Sequence, residues 1–347
     1  MSNGQVIRSK APLRLGFGGG GTDLSPYCDI YGGSVMNATI NMYVHCIIEP
    51  LDDGTISFNA TDRNESFTSK NKSKFDLNGD LCLHKAVYNR IVSDFNNGQS
   101  LSIKVVTYSD APSGSGLGAS STLAVALIKG FTEYLNLPLG EYDIAHLAYE
   151  IERLDLKWAG GKQDQYAAAF GGFNFIEFYK NDRVIVNPLH LKHWIINELE
   201  SCIVLYYTGT SRVSADIINE QNKNTSSGNH SPLESMHKIK SLASKTKEAL
   251  ITGAINSLAN ILEESWFNKK KTAKKISNER IDDIYNEAMS SGALAGKISG
   301  AGGGGFMFFL VDPNNRIKLI NKLNSLGGRV YNFQFVSDGM KGWYISK

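Results

Sequence analysis

Cysteine is scarce in this 347-residue chain, and the four present, Cys28, Cys46, Cys82 and Cys202, form no CxxC pair. A zinc site or a disulfide framework is therefore not expected, and the cysteines read as buried apolar fillers. A surplus of one charge is also missing: 36 Lys plus Arg face 34 Asp plus Glu, a formal net charge of +2. That balance argues against a basic nucleic-acid binder. No run of about 18 apolar residues is present, and Met1-Ser2-Asn3-Gly4 leads into a strand pattern without the apolar core of a signal peptide. Neither a membrane partner nor export is expected, and the cytoplasm is the expected compartment. With 42% hydrophobic and 20% charged residues, the chain can bury a core. Its length suits two domains, divided near 195–200 into segments 1–197 and 198–347. What the chain has in excess is glycine, 34 residues, many in three dense clusters.

The residue pattern gives a coarse map. Val6 to Phe17 reads as extended. Val35 to Ile48 reads as a strand paired with Thr55 to Asn59 through the turn at Asp52-Asp53-Gly54. Residues 60–80 are polar and read as an exposed excursion, and helical spacing returns from Leu81 to Phe95. Leu101, Ile103, Val105 and Thr107 alternate as a strand, and Ser120 to Leu135 reads as a buried helix. Further helical spacing covers 141–154, and Phe173 to Phe178 reads as a strand. Beyond Pro188 a strand at Ser201 to Tyr207 precedes helices near 212–221, 233–250, 253–267 and 278–291. A strand Gly305 to Val311, a helix 314–325 and terminal strands near 330–336 and 342–346 complete the chain. The run Lys269-Lys270-Lys271 reads as a solvated helix end.

Three glycine clusters carry the chemistry. Pro112-Ser113-Gly114-Ser115-Gly116-Leu117-Gly118-Ala119-Ser120-Ser121 stands between a strand and a helix. Alternating glycines let successive N–H groups converge on one anion, and the helix start adds its free donors, so a nucleotide phosphate fits. The loop lacks a Gly-Lys-Ser/Thr ending and GxGxxG spacing, which sets aside Walker-type and dinucleotide folds. Gly160-Gly161-Lys162-Gln163-Asp164-Gln165 follows Glu150 and Glu152. Phosphoryl transfer needs one carboxylate beside the acceptor hydroxyl and another for a bridging metal, roles that suit Asp164 and Glu152; the same residues also suit a helix cap and a solvated helix face. The third cluster, Lys297-Ile298-Ser299-Gly300-Ala301-Gly302-Gly303-Gly304-Gly305, precedes an apolar strand and is expected to face the phosphate loop across a cleft, or to form a tight turn between domains.

In this order and spacing the three clusters resemble the GHMP kinase superfamily, from about Arg8 to Val311. The resemblance implies an α+β fold of two domains, the first related to the second domain of ribosomal protein S5 and the second ferredoxin-like, with ATP and Mg²⁺ as cofactors. It assigns the phosphates to Pro112 to Ser121, and the metal to Glu152 with Ser120 or Ser121, because Ala119 stands where many members have a serine. Asp164-Gln165 matches the family's Asp-Gln pair, and Arg14 matches the arginine beside the catalytic Asp. The segment Ala11 to Asp23 resembles the galactokinase signature, with Asp23 in the place of a sugar ligand, but Gly20-Gly21 replace Glu-His. That loss widens the pocket and removes a negative charge. With Thr208-Gly209-Thr210-Ser211-Arg212, the segment resembles the subfamily acting on D-glycero-D-manno-heptose 7-phosphate, which implies anomeric phosphorylation on the route to nucleotide-activated heptose for surface polysaccharide. Gly18, Gly19, Gly20, Gly21, Thr22, Asp23, Lys162, Arg212, Gly302 and Gly303 are then the expected acceptor-site residues. Lys10, Lys85, Lys162 and Arg212 are candidate cations for a substrate phosphate. An L-fucose kinase-like enzyme and a non-catalytic sugar or nucleotide sensor are the competing readings.

Overall fold

The computed structural model describes residues 5–210 and 214–346. The first half runs β1 (Gln5–Gly18), α1 (Tyr27–Tyr31), β2 (Gly33–Pro50), β3 (Thr55–Ala60), β4 (Glu65–Lys70), α2 (Cys82–Phe95), β5 (Ile103–Ser109), α3 (Ala119–Leu135) and α4 (Glu141–Glu150). A single π-helical turn (Ile151–Asp155), α5 (Gln163–Phe170), β6 (Phe173–Phe178) and β7 (Val184–Leu189) follow. Then come α6 (His193–Cys202), β8 (Ile203–Tyr207), α7 (Ala215–Ser226), α8 (His230–Thr252), α9 (Ile255–Lys270) and α10 (Glu279–Ser290). The chain ends with β9 (Ala293–Ile298), β10 (Phe306–Val311), α11 (Arg316–Ser325), β11 (Arg329–Tyr331) and β12 (Lys341–Ser346).

One sheet has the order β12-β1-β2-β5-β3-β4, with β6 and β7 continuing from the first part of β2. The other is antiparallel in the order β11-β8-β10-β9. With α7 to α10 between its first two strands and α11 between its last two, this second sheet has the split β-α-β connectivity of a ferredoxin-like unit. The last strand returns to the first sheet, where Gln5 pairs with Ser346 and Lys10 with Lys341. The expected division near 197/198 falls inside α6.

The hairpin expected between 35–48 and 55–59 does not form. Strand β5 lies between its two members, antiparallel to β2 and parallel to β3, because its buried Ile103 and Val105 belong in the middle of the sheet. The turn-coupled partner of β3 is β4, inside the polar stretch read as an excursion. An edge strand carrying Glu65, Ser66, Thr68 and Lys70 looks like a loop in sequence because a polar edge discourages pairing with other chains.

Strand β10, Phe-Met-Phe-Phe-Leu-Val, is buried on both faces. Side chains alternate across a strand, so Phe306, Phe308 and Leu310 join the large core shared with the first sheet, whereas Met307, Phe309 and Val311 pack with α10 and α11. Phe17 of β1 meets Phe308 at 5.4 Å between ring centroids and Phe335 at 6.0 Å. The two halves therefore share packed aromatics at the level where the glycine clusters meet.

Candidate active site

A cleft of about 400 Å³ opens between the halves. Its floor is the loop before α3. Gly114, Gly116 and Gly118 all have φ near +70 to +80°, a conformation glycine adopts without the Cβ penalty. The chain thereby turns its N–H groups inward, and α3 begins at Gly118 with no side-chain cap, leaving its first amides free for an anion. Ser115 Oγ is buried there without a partner. Of the expected phosphate residues, Ser113, Gly114, Ser115, Gly116, Gly118, Ala119, Ser120 and Ser121 line the cleft; Leu117 points into the core and Pro112 does not line it.

Asp164, in the first turn of α5, is fixed by Arg14 of β1. Arg14 Nε and Nη2 donate to Asp164 Oδ1 at 2.8 and 2.7 Å, and Nη1 donates to Gly116 O at 2.8 Å and Ser299 Oγ at 3.2 Å. One guanidinium thus ties together all three glycine clusters. Gly118 must lack a side chain for a second reason: a Cβ would come within 2.9 Å of the Asp164 carboxyl carbon. Glu152 lies in the π-helical turn, whose wider winding turns it toward the cleft, while Glu150 pairs outside with Arg90 at 2.7 Å. Ser120 Oγ donates to Glu152 Oε1 at 3.2 Å, and Gln165 Nε2 donates to Glu152 Oε2 at 2.6 Å and Ser121 Oγ at 3.1 Å.

The acceptor-side expectations divide. Gly21 and Asp23 line the cleft; Gly18, Gly19, Gly20 and Thr22 shape the turn behind it. A Cβ at Gly19 would sit 1.9 Å from Ser34 O, and Thr22 Oγ1 donates to Gly19 O and Ser34 O at 2.8 and 2.9 Å. Asp23 accepts from the Lys162 and Gln163 amides at 3.0 and 3.1 Å, which sets the start of α5 and hence Asp164. Lys162 lies in ion pairs away from the cleft lining. Burial opposes its charge, but Asp182 at 2.6 Å and Asp29 at 3.4 Å hold its pKa above the usual lysine value, and it does not reach the cleft wall. Lys10 lies over the Tyr43 ring and Lys85 donates to Asn78 O. Arg212 lies outside the described residues.

The third glycine cluster does not face the phosphate loop across a gap; it interlocks with it. Phe306 N donates to Ser115 O at 2.8 Å, and Cβ atoms at Gly116, Gly300 or Gly305 would come within 2.3–2.5 Å of backbone oxygens of the opposing segment. Gly300 and Ala301 reach the cleft. Gly302 and Gly303 pack on Ile276 instead, Gly303 N donating to Ile276 O at 2.8 Å. Cys82, expected as a filler, is half-buried and lines the cleft.

Two lysines missed in sequence stand at the acceptor wall, Lys269 lining the cleft and Lys297 behind it. Lys269, at the end of α9, is 5% exposed and donates to Gly300 O at 2.8 Å. Burial, with Arg14 nearby, pulls its pKa down to about 8. Lys297 of β9 donates to Phe17 O at 3.3 Å, and burial, then Lys269 and Arg14, bring it to about 7. A polar Lys-Lys-Lys run gave no hint that its first member packs inward; the only signal was its place in the heptad-like spacing of Leu258, Leu262, Ser265 and Trp266.

Comparison with known proteins now bears on this arrangement. Residues 83–172 match the GHMP kinases N terminal domain and residues 246–328 the GHMP kinases C terminal domain. The D-glycero-alpha-D-manno-heptose 7-phosphate kinase of Campylobacter jejuni is 52% identical over 341 residues, 98% of this chain and 100% of that one. The chain belongs to the GHMP kinase family. A crystal structure of a D-glycero-D-manno-heptose 1-phosphate kinase from Bacteroides thetaiotaomicron superposes with TM-score 0.84 at 48% identity, covering 98% and 100% of the two chains. A Lactococcus lactis galactokinase bound to galactose, at 17% identity and TM-score 0.75, shares the fold. As a GHMP kinase the protein is an ATP-dependent phosphotransferase. Among the described residues, no helix is long and apolar enough to cross a membrane.

The GHMP fold here carries a buried charge whose cost is measurable. A lysine depressed in the folded state lowers stability fully below its folded pKa, and the penalty disappears as pH rises through the folded value toward the unfolded 10.5. Lys297→Met is expected to be more stable than the parent at pH 7 by about 1–4 kcal/mol, with the difference shrinking toward pH 10. Urea unfolding at the two pH values measures it; a variant less stable than the parent at pH 7 would show that the Phe17 hydrogen bond outweighs the burial.

Proposed function

We propose that this kinase transfers the γ-phosphoryl of ATP to the anomeric hydroxyl of D-glycero-D-manno-heptose 7-phosphate, giving the 1,7-bisphosphate. The observation that carries the chemistry is the Asp164–Arg14 pair, set between the anion-binding loop and a wall of Gly21, Asp23 and Gly161. The 52% identity to the Campylobacter kinase supports the substrate. Asp164 orients the hydroxyl and receives its proton, and Arg14 holds that carboxylate in place and offsets charge on the moving phosphoryl. The α3 amides hold the phosphates, and Val44, Ala60, Leu81 and Leu83 of the cleft lining offer apolar surface to the base. Such a reaction uses a divalent cation. Glu152 and Ser120 fit Mg²⁺, a hard ion that takes few protein oxygens and completes its shell with phosphate and water. When bound, it would neutralise charge on the nucleotide phosphates.

A panel of sugars and sugar phosphates with ATP, read by phosphorus NMR, tests the proposal. A new phosphorus resonance coupled to the anomeric proton is expected. The phosphorylated heptose should exceed unphosphorylated heptose in kcat/KM by roughly 10- to 200-fold, the worth of one charge-assisted contact of about 1.5–3 kcal/mol. Equal turnover of fucose or galactose would reduce the assignment to a sugar kinase of the family, and absence of ADP release with every acceptor would favour a sensor.

A further inference from the structure

Lys269 is a buried ammonium with three donors and one acceptor, Gly300 O, among its hydrogen bonds. It lines the cleft on the side of Gly21, Asp23 and Gln221. The charged groups acting on it are Arg14 of β1, Asp23 of the turn after it, Asp164 of α5, and Lys297 of β9; none comes from α8, which also packs against α9. Of these, Asp164 is taken up by Arg14, and Asp23 by the backbone of residues 162 and 163. Arg14, Lys269 and the partly protonated Lys297 thus face two carboxylates that a guanidinium and two backbone amides already hold, and neither is left to pair with the Lys269 ammonium. Arg153, also on the cleft, differs: it donates to Trp158 O and Gly161 O and lies 3.8 Å from Glu152.

Gly20 supplies an independent observation. Its backbone is not in the left-handed region, so conformation does not demand a glycine there. The nearest atom to a Cβ at this position would be Lys269 Nζ, at 3.3 Å. The missing side chain therefore leaves open the space beside the ammonium. A neutral sugar would leave that ammonium undercompensated, whereas a dianion answers it.

We propose that Lys269 binds the phosphate of the acceptor sugar, and that glycine at position 20 keeps the space beside its ammonium open for that group. The inference rests on the sugar-phosphate kinase reading above and adds the residue that makes the phosphate count. Its test compares Lys269→Met with the parent on heptose 7-phosphate and on unphosphorylated heptose. On the phosphorylated acceptor kcat/KM should fall roughly 10- to 200-fold. On the unphosphorylated one it should change by less than about threefold, and the KM for ATP by less than about twofold, as expected for a contact made only to the missing group.

The parent enzyme gives a second measurement that needs no mutation. Because the free ammonium loses its proton near pH 8, the preference for the phosphorylated acceptor should decline between pH 7 and 9.5, and Lys269→Arg should hold whatever preference it has across that range. Equal losses on both acceptors, or a preference that ignores both the methionine variant and pH, would overturn the assignment while leaving the heptose reading standing. Failure of the parent to use heptose 7-phosphate at all would instead remove the reading beneath it.

Discussion

Asp164→Asn should bind ATP almost as the parent does and turn over at least about 10²-fold more slowly, the usual worth of a positioned base. The substitution keeps the shape of the side chain, so it still fits the space that Gly118, lacking a side chain, leaves beside it. What changes is the charge facing the acceptor hydroxyl and the loss of one oxygen that can take its proton. Asparagine can still accept one bond from Arg14, which keeps the guanidinium on Gly116 O and Ser299 Oγ and with it the phosphate loop. Equilibrium binding of a nucleotide measured beside single-turnover rates separates the two effects. Turnover within a few-fold of the parent would take Asp164 out of the chemistry.

The glycine loop before α3 and the place of Asp164 beside it were legible in sequence because the signals are local. Alternating glycines between an alternating strand and an apolar helix permit few other geometries. Glu152 was separable from Glu150 only by resemblance: both lie in one helical pattern, and the π-helical turn that sends them to opposite sides leaves no periodic trace. Strand order was less legible still. Nothing in 55–59 says that β5, more than forty residues later, will insert beside it; that choice is made by the fold, in which β5 lays Ile103, Val105 and Thr107 into the core between β2 and β3. The third glycine cluster showed a close approach, but the sequence could not tell a bound ligand from an opposing backbone, and here the backbone of Ser115 and Gly116 fills the space. Lys162 and Lys269 misled in opposite directions for one reason. A lysine's sequence neighbours describe its stem, while its ammonium is placed by the fold: Asp182 captures the first, and the packing of α9 delivers the second to the cleft.

Arg14→Met should lower turnover by roughly 10²-fold or more and, unlike the change at Asp164, also weaken the fold. Arg14 is 4% exposed and makes four bonds from one guanidinium. Removing it strands the Asp164 carboxylate and leaves Gly116 O without that donor. Losing one partner of a largely buried pair costs about 3–5 kcal/mol, and the lower end applies because the Asp164 side chain is 25% exposed. The double variant, Arg14→Met with Asp164→Asn, distinguishes the two losses. Its stability should recover part of the deficit, since the stranded charge is gone. Its turnover should stay close to that of the slower single variant, because groups acting as a unit are not removed twice. Urea unfolding and single-turnover rates on the four proteins complete the cycle. If the turnover losses multiply, with stability unmoved by the second change, Arg14 and Asp164 act separately and the pair is not the unit its geometry suggests.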